Sequence, residues 1–271
     1  MRIISSGKVL NSAEFYKKKK RRRRIRLALL LVGLLAILSS LIYFSRQKRF
    51  LIIGVTITGE NVVDKEEMSQ TVQKLISGYY FWVIPRNNTF VYPRQTIEQN
   101  LTEAFPRIKS INLNLDESRT LVVMVEERVP FALYCVNDEC FFLDKEGLIF
   151  APAPSFSDGV YFIYSTDEPM SDPVGKRVLA PEEFESLLKF RESLSTLNIN
   201  SSALKIGADD YTLLWSDNKR LMWQKDDDLL LVGSNLEAFL SDDAIKTQSN
   251  FLEKILYLDL RTANKVFYKF K

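Results

Sequence analysis

The stretch INLNLDESRTLVVMVEERVPFAL, residues 111–133, predicts two β-strands joined by a short turn. Apolar and polar residues alternate over 111–116, and Leu121, Val123 and Val125 share one side of the following segment. Such alternation is typical of half-buried strands, because successive side chains point to opposite faces. The stretch therefore predicts a hairpin with one buried face. Together with the helices predicted elsewhere in the chain, it places the protein in the α+β class.

The residues before this hairpin predict one strand and two helices. Apolar residues alternate over 53–57, Asp64 is placed to cap a helix, and Gly78 to end it. Pro93 opens a second helix, which the sequence FPRI ends. Residues expected on the inner helix faces are Met68, Val72, Leu75, Ile76, Ile97, Leu101 and Ala104. The order β-α-α-β-β over residues 50–130 predicts a small sheet with two helices on one face.

The segment YYFWVIPRN, residues 79–87, lies between the two predicted helices and is too aromatic for a free loop. Large aromatic side chains contribute strongly to core packing. We therefore expect this segment to pack beneath the helices, with binding of a ligand as the alternative.

A membrane anchor is predicted near the N-terminus. Residues 27–44 carry no charge over 18 positions, and such a helix spans about 27 Å, close to the hydrocarbon thickness of a bilayer. Nine basic residues lie in 17–26, against three in the far flank. This bias predicts a cytoplasmic tail over 1–26, in contact with anionic lipid rather than nucleic acid, and an extracytoplasmic remainder. A signal peptide is the alternative, although no clear cleavage site follows.

Catalysis is not predicted. The chain contains no histidine, which removes the commonest general base and metal ligand and excludes Ser-His-Asp and Cys-His arrangements. The acidic clusters at 209–210 and 226–228 fall at predicted turns, where aspartate serves turn geometry. We expect no enzyme activity, no catalytic or metal-binding residues, no cofactor and no small-molecule substrate.

Two cysteines lie in a second predicted hairpin, FALYCVNDECFFLDKEGLIF, residues 131–150. With Asn137 and Asp138 as its turn, Cys135 lies opposite Cys140 at a Cα separation of about 4.5 Å. That distance is within the range of disulfides, about 4.4–6.8 Å. A disulfide and two reduced thiols both remain open, whereas a zinc site would lack ligands.

Residues 131–271 predict a second, mixed β-rich domain with flanking helices. A helix begins near Pro181, three strands follow with turns at GADD, SDNK and KDDD, and a partly helical segment is interrupted near Ser241. Finally, YLDLRTANKVFYKFK, residues 257–271, predicts two strands around TANK. In the last strand we expect Val266, Tyr268 and Phe270 on one face and Phe267, Lys269 and Lys271 on the other.

These features together resemble the FtsQ/DivIB family of bacterial cell-division proteins, most clearly over residues 20–150. In that family, a POTRA domain follows a single N-terminal anchor, and a β domain follows the POTRA domain. The residues that carry the resemblance are Gly59, Asn61, Pro106, Glu127-Arg128-Val129-Pro130, Asp144-Lys145-Glu146-Gly147 and Asp259-Leu260-Arg261. The resemblance implies a POTRA-like domain at 50–130 and an FtsQ-type β domain at 131–271.

The resemblance also implies a function. Members of the family are non-enzymatic scaffolds at the division septum, whose last strand pairs with a segment of FtsB in a complex with FtsL. The implied partner-binding residues are Arg261, Val266, Phe267, Tyr268, Lys269 and Phe270. Contacts with other division proteins are expected through the POTRA domain, by an outer strand at 108–116 or 51–57, with Glu127 and Arg128 as a candidate contact pair. A POTRA-type chaperone or docking module of an envelope-assembly or secretion system is the alternative.

Overall fold

A computed structural model describes residues 12–137, 139–154, 161–263 and 265–271. The fold is of the mixed α+β type, with an N-terminal apolar helix and a large β-rich sheet. Part of the predicted cytoplasmic tail, the turn residues Asp138 and Asn264, and residues 155–160 of a predicted loop lie outside the described ranges.

The first helix, α1 (Ser12–Ser45), contains the predicted anchor. Within the described part of the chain, it is the one helix long and apolar enough to cross a membrane. Its apolar side chains from Leu27 to Phe44 are mostly exposed, and none of them is buried. A helix that is apolar all round and uncovered by protein is suited to lipid rather than water.

A three-stranded sheet with two helices follows α1. Its region contains β1 (Gly54–Thr58), α2 (Lys65–Ile76), β2 (Tyr79–Tyr80), β3 (Ile84–Pro85), α3 (Arg94–Ala104), β4 (Ile108–Leu115) and β5 (Thr120–Glu127). The strand order is β1-β5-β4, with β1 parallel to β5 and Ile57 opposite Val123. The central strand is therefore β5, and the two outer strands, β1 and β4, are the ones predicted as edges.

Most of the predicted inner face is buried. The buried apolar residues are Ile57, Met68, Val72, Ile76, Ile97, Leu101, Ile108, Leu113, Leu121, Val123 and Val125. Asp64 caps α2 as predicted, because its carboxylate accepts hydrogen bonds from the N–H groups of Glu66 and Glu67. The predictions for Ile53 and Ala104 are wrong: Ile53 precedes β1, Ala104 is the last residue of α3, and both are exposed.

The aromatic segment 79–87 does not pack beneath the helices. It forms a ribbon of β2 and β3 in which Tyr80 pairs with Ile84. Phe81 and Trp82 lie at the tip of this ribbon and are 92% and 90% exposed. The prediction of burial is wrong because both tip residues adopt left-handed backbone angles, with φ of 47° and 65°, in a tight turn beyond the paired residues.

A nine-stranded mixed sheet contains the remaining strands. They are β6 (Ala132–Val136), β7 (Glu139–Leu143), β8 (Ile149–Pro152), β9 (Phe162–Thr166), β10 (Ser201–Ile206), β11 (Asp210–Trp215), β12 (Lys219–Gln224), β13 (Ile255–Thr262) and β14 (Lys265–Phe270). Their order in the sheet is β14-β13-β12-β11-β10-β9-β6-β7-β8. Parallel pairs join β6 to β9, β9 to β10, and β12 to β13.

Helices cover one face of this sheet. They are α4 (Pro181–Thr196), α5 (Leu229–Ser241), α6 (Asp243–Lys246) and α7 (Phe251–Lys254). Phe190 of α4 packs edge-on against Trp223 of β12, with ring centroids 5.1 Å apart. The segment LLLVGS, residues 229–234, which follows the predicted turn KDDD, belongs to α5, because Asp228 caps a helix that begins at Leu229.

The second predicted hairpin is confirmed. Cys135 pairs with Cys140 and Val136 with Glu139 across β6 and β7. The structure joins Cys135 and Cys140 in a disulfide.

The chain forms two compact units, of which the second comprises residues 59–63, 99–111 and 125–271. The boundary at residue 130 between the two named domains stays a prediction.

Candidate functional site

The candidate binding site is the outer edge of β14. This strand pairs with β13 on one side, and no described strand pairs with its other side. The hairpin places Phe267 opposite Asp259 and Tyr268 opposite Leu258. An outer strand of this kind exposes N–H and C=O groups that a further strand can bond.

The direction of these backbone groups follows from one hydrogen bond. The N–H of Lys271 donates to the carbonyl of Lys254 at 2.9 Å, so the backbone N–H of Lys271 is directed toward the side of β14 that faces β13. In an antiparallel pair, N–H and C=O groups alternate in direction from one residue to the next. Val266, Tyr268 and Phe270 therefore direct their backbone groups to the open side.

The side chains of β14 divide between two faces as predicted. The ring of Tyr268 lies 5.4 Å from that of Phe251 in α7, and Phe270 lies 5.8 Å from the same ring. Val266 also packs against the buried core. By alternation, Phe267 and Lys269 lie on the opposite face, away from these helices, where Phe267 is 51% exposed. Phe267 thus does not pack on the preceding helix.

Arg261 lies on the same face as Phe267 but is bound within the chain. Its guanidinium donates to the carboxylate of Asp259 at 2.7 and 2.9 Å and to Asp210 at 2.9 Å. The hydrogen bond to Asp259 raises the pKa of Arg261, with a further contribution from Asp210. The arginine is therefore held rigidly beside β14, and an acidic partner would have to compete with two carboxylates of the protein itself.

The other end of the large sheet is less open. The N–H of Ile149 in β8 donates to the carbonyl of Lys176 at 2.9 Å, and its carbonyl accepts from Gly175 at 2.7 Å. Residues 175–177 therefore occupy part of that edge. Within this sheet, β14 is the edge with the greater backbone capacity for a partner.

The acidic clusters serve local structure. Asp228 caps α5, Asp227 accepts a hydrogen bond from the N–H of Gln224, and Asp210 binds Arg261. Over the described residues, no group of three or more histidine, cysteine or acidic side chains is arranged to hold a metal ion.

Glu127 and Arg128 make separate contacts within the protein, and their predicted role as a contact pair for other division proteins stays a prediction. They are adjacent in sequence at the end of β5, so their side chains point in opposite directions. One oxygen of Glu127 accepts hydrogen bonds from the N–H groups of Asn61, Val62 and Val63, at 2.7, 2.8 and 3.0 Å. The glutamate therefore fixes the turn that follows β1.

Arg128 instead pairs with Asp144, and their side chains are only 10% and 8% exposed. Arg128 also donates to the carbonyl of Pro106 at 3.2 Å. The second oxygen of Asp144 accepts hydrogen bonds from the N–H groups of Glu146 and Leu148, at 2.8 and 2.9 Å. The motifs FPRI, ERVP and DKEG thus meet in one buried polar cluster, which no local pattern in the sequence predicts.

The Glu127 contact predicts an acid-dependent loss of stability. Burial by itself raises the pKa of Glu127, but the N–H groups of Val63, Asn61 and Val62, with Arg107, lower it overall. A carboxyl group with a lowered folded-state pKa stabilises above its unfolded pKa, about 4.3, and this stabilisation is lost as pH falls through the folded value. Glu127→Gln should therefore unfold at lower temperature than wild type at pH 7, with the difference shrinking below about pH 4.3.

Thermal unfolding of the detergent-solubilised protein between pH 7 and pH 3 measures this difference. Glu103→Gln, at an exposed glutamate of α3, is the control and should follow wild type throughout. If the unfolding temperature of Glu127→Gln stays below that of wild type by the same amount down to pH 3, the stabilising role of the Glu127 carboxylate is contradicted.

No protein-family model matches this chain, and no curated protein matches it in sequence. The resemblance of the motifs to a known family therefore stays a prediction.

Proposed function

We propose that this protein is a single-pass membrane scaffold of the bacterial division machinery, of the FtsQ/DivIB type. It recruits an FtsB-like protein, in complex with an FtsL-like one, by adding a strand of the partner to β14. The observation that carries the proposal is the unpaired side of β14 among the described residues. Strand addition is an established mode of peptide recognition, in which backbone hydrogen bonds supply affinity and side chains supply selection.

The exposed face of β14 supplies that selection. Phe267 offers a half-exposed aromatic ring, and large aromatic residues dominate the energy of many interfaces. Beside it lie the positive charge of Lys269 and the ion-paired group of Arg261, Asp259 and Asp210. A partner strand with an apolar residue opposite Phe267 and acidic residues near Lys269 fits this surface.

The rest of the chain fits a scaffold of this type. The helix α1 is the anchor, and the basic residues before it favour a cytoplasmic N-terminus, so both sheets lie outside the cytoplasm. The region β1–β5 is the POTRA-like domain, with additional contacts through β1 or β4. The location that follows is the cell membrane at the division septum.

A docking or chaperone module of an envelope-assembly system is the alternative. It is favoured by the two outer strands of the small sheet, since β1 and β4 both flank β5. In that case capture of a client would depend on β1 or β4 and would be indifferent to β14.

Phe267→Glu tests the role of β14. The substitution places a carboxylate where a partner strand would bury an aromatic ring, and we expect capture of an FtsB-like protein to weaken by about 30-fold or more, equivalent to about 2 kcal/mol. Because Phe267 is half-exposed, the thermal unfolding temperature should change little. The measurement is a titration of the purified, detergent-solubilised chain with an FtsB-like protein.

Leu230→Glu is the matched control, since Leu230 is an apolar residue that is 84% exposed and lies at the start of helix α5 rather than in β14. It should bind as wild type does. Undiminished binding by Phe267→Glu would show that β14 is not the docking strand.

A further inference from the structure

Residues 81–90, which include the ribbon tip and the segment that follows the ribbon, carry an unusual concentration of exposed aromatic surface. Phe81, Trp82 and Phe90 are 92%, 90% and 78% exposed, the highest values of any aromatic residue that the structure describes. We call these three residues the aromatic patch. Exposed apolar surface of this kind marks a site of interaction with a partner or a membrane.

The backbone holds the patch away from the protein core. Phe81 and Trp82 have φ angles of 47° and 65°, a region that bulky residues rarely occupy. Each such residue costs on the order of 1–3 kcal/mol. Asparagine or glycine would adopt this turn at lower cost, so the turn is not optimised for stability.

Hydrogen bonds fasten the patch to the end of α1. The guanidinium of Arg46 donates to the carbonyl of Val83 at 2.9 Å and to that of Trp82 at 3.4 Å. The side-chain amide of Asn88 donates to the carbonyl of Ser45, the last residue of α1, at 2.8 Å. The position of the patch is therefore set by the residues that end the membrane helix.

With α1 spanning a bilayer, as proposed above, these contacts bring the patch close to the layer of lipid headgroups. Arg46 follows the last residue of the uncharged segment, Phe44, by two positions, which is about 3 Å along a helix axis. The interfacial layer of a bilayer extends about 5–8 Å beyond the hydrocarbon on each side. Trp82, whose carbonyl Arg46 contacts, lies within reach of this layer, where tryptophan is enriched.

The charges around the patch favour a lipid surface over a protein partner. Arg46, Lys48, Arg49 and Arg86 lie in the segments 45–59 and 79–97, which contain no acidic residue. The Arg49 guanidinium lies 4.6 Å from the ring of Phe50, which is 5.6 Å from that of Phe90. Aromatic rings interleaved with arginine match the acyl boundary and the phosphate groups of a bilayer surface.

We propose that the aromatic patch inserts into the interface of the extracytoplasmic leaflet and forms a second membrane contact beside α1. The ligand is the bilayer surface itself, with phospholipid headgroups bound by the arginines and lysine. This inference rests on the anchoring role of α1 in the proposed function. A second contact limits the tilt and rotation of the ribbon relative to the membrane, which a single helix would leave free.

Tryptophan fluorescence tests the insertion, because the chain has three tryptophans and the other two, Trp215 and Trp223, are buried. The full chain is reconstituted in nanodiscs of phosphatidylcholine and phosphatidylglycerol, with a spin label on carbon 5 of the acyl chain. We expect the label to quench a fraction close to one emitter in three, and Trp82→Phe to abolish that quenching.

Two controls make the outcome decisive. Leu230→Trp in the Trp82→Phe background places an exposed tryptophan outside the patch, and it should remain unquenched; equal quenching there would overturn the inference.

Alkaline carbonate washing of vesicles tests the anchor separately. Retained protein with an unquenched Trp82 overturns the second contact alone, whereas protein released by the wash overturns the anchor and the inference with it.

Discussion

Arg128→Met is expected to lower the free energy of unfolding by about 3–5 kcal/mol, because it leaves the carboxylate of Asp144 buried without its cation. The side chains of both residues are about nine-tenths buried, so water cannot replace the lost partner. Asp144→Leu should cost a similar amount, since the guanidinium loses its buried carboxylate and keeps only the carbonyl of Pro106 and the half-exposed carboxylate of Glu146, 3.9 Å away. Chemical denaturation of the detergent-solubilised protein measures both effects.

The double variant Arg128→Met, Asp144→Leu separates charge from packing. Replacing both members of a buried pair by apolar residues is often neutral or stabilising, so the double variant should recover much of the stability that each single variant loses. Asp144 also accepts two backbone hydrogen bonds, and the part that is not recovered measures those. If the double variant loses the sum of the free energies that the two single variants lose, the two charges do not stabilise each other.

Gly59→Ala is expected to cost about 2–5 kcal/mol, from a strained backbone angle and a steric clash together. The φ angle of Gly59 is +89°, and a Cβ atom there would lie 2.2 Å from the carbonyl oxygen of Val125. Backbone atoms must move to accept the methyl group. The turn held by Glu127 begins directly after this residue, so we also expect weaker protection of the Asn61–Val63 amides in hydrogen exchange.

Gly78→Ala is the matched control. Its φ angle is +86°, but no heavy atom lies within 4 Å of the position that an alanine Cβ would take there. The cost should therefore be limited to the strained backbone angle, about 1–2 kcal/mol. If the two alanine variants have the same free energy of unfolding, the close approach of Gly59 to Val125 is not a determinant of stability.

The comparison of Glu127 with Arg128 shows what sequence patterns miss. The two residues are neighbours, but the atoms they bind lie up to 66 positions away along the chain. Strand alternation by itself indicates that neighbouring side chains point to opposite faces, so Glu127 and Arg128 are expected to make different contacts. It does not identify the partners, because those depend on which loops the fold brings beside the end of β5.

The aromatic segment 79–87 shows a second limit. Its composition predicts burial, since aromatic side chains gain most from leaving water. The structure exposes Phe81 and Trp82 because a tight turn leaves them at the tip of the ribbon, beyond any packing surface. The nearby apolar helix was the signal that exposure to lipid, rather than burial in protein, is an alternative for such residues.

Local patterns in the sequence determined the apolar span of α1, the alternating core of β5, the cap of α2 and the pairing of Cys135 with Cys140. Each depends on residues close together in the chain, so periodicity and composition suffice to predict it. The tertiary structure alone decided the strand order of the large sheet, the open side of β14, the buried pair of Arg128 and Asp144, and the exposure of the aromatic patch. These features arise from contacts between distant segments, whose free energies depend on packing geometry that no local pattern encodes.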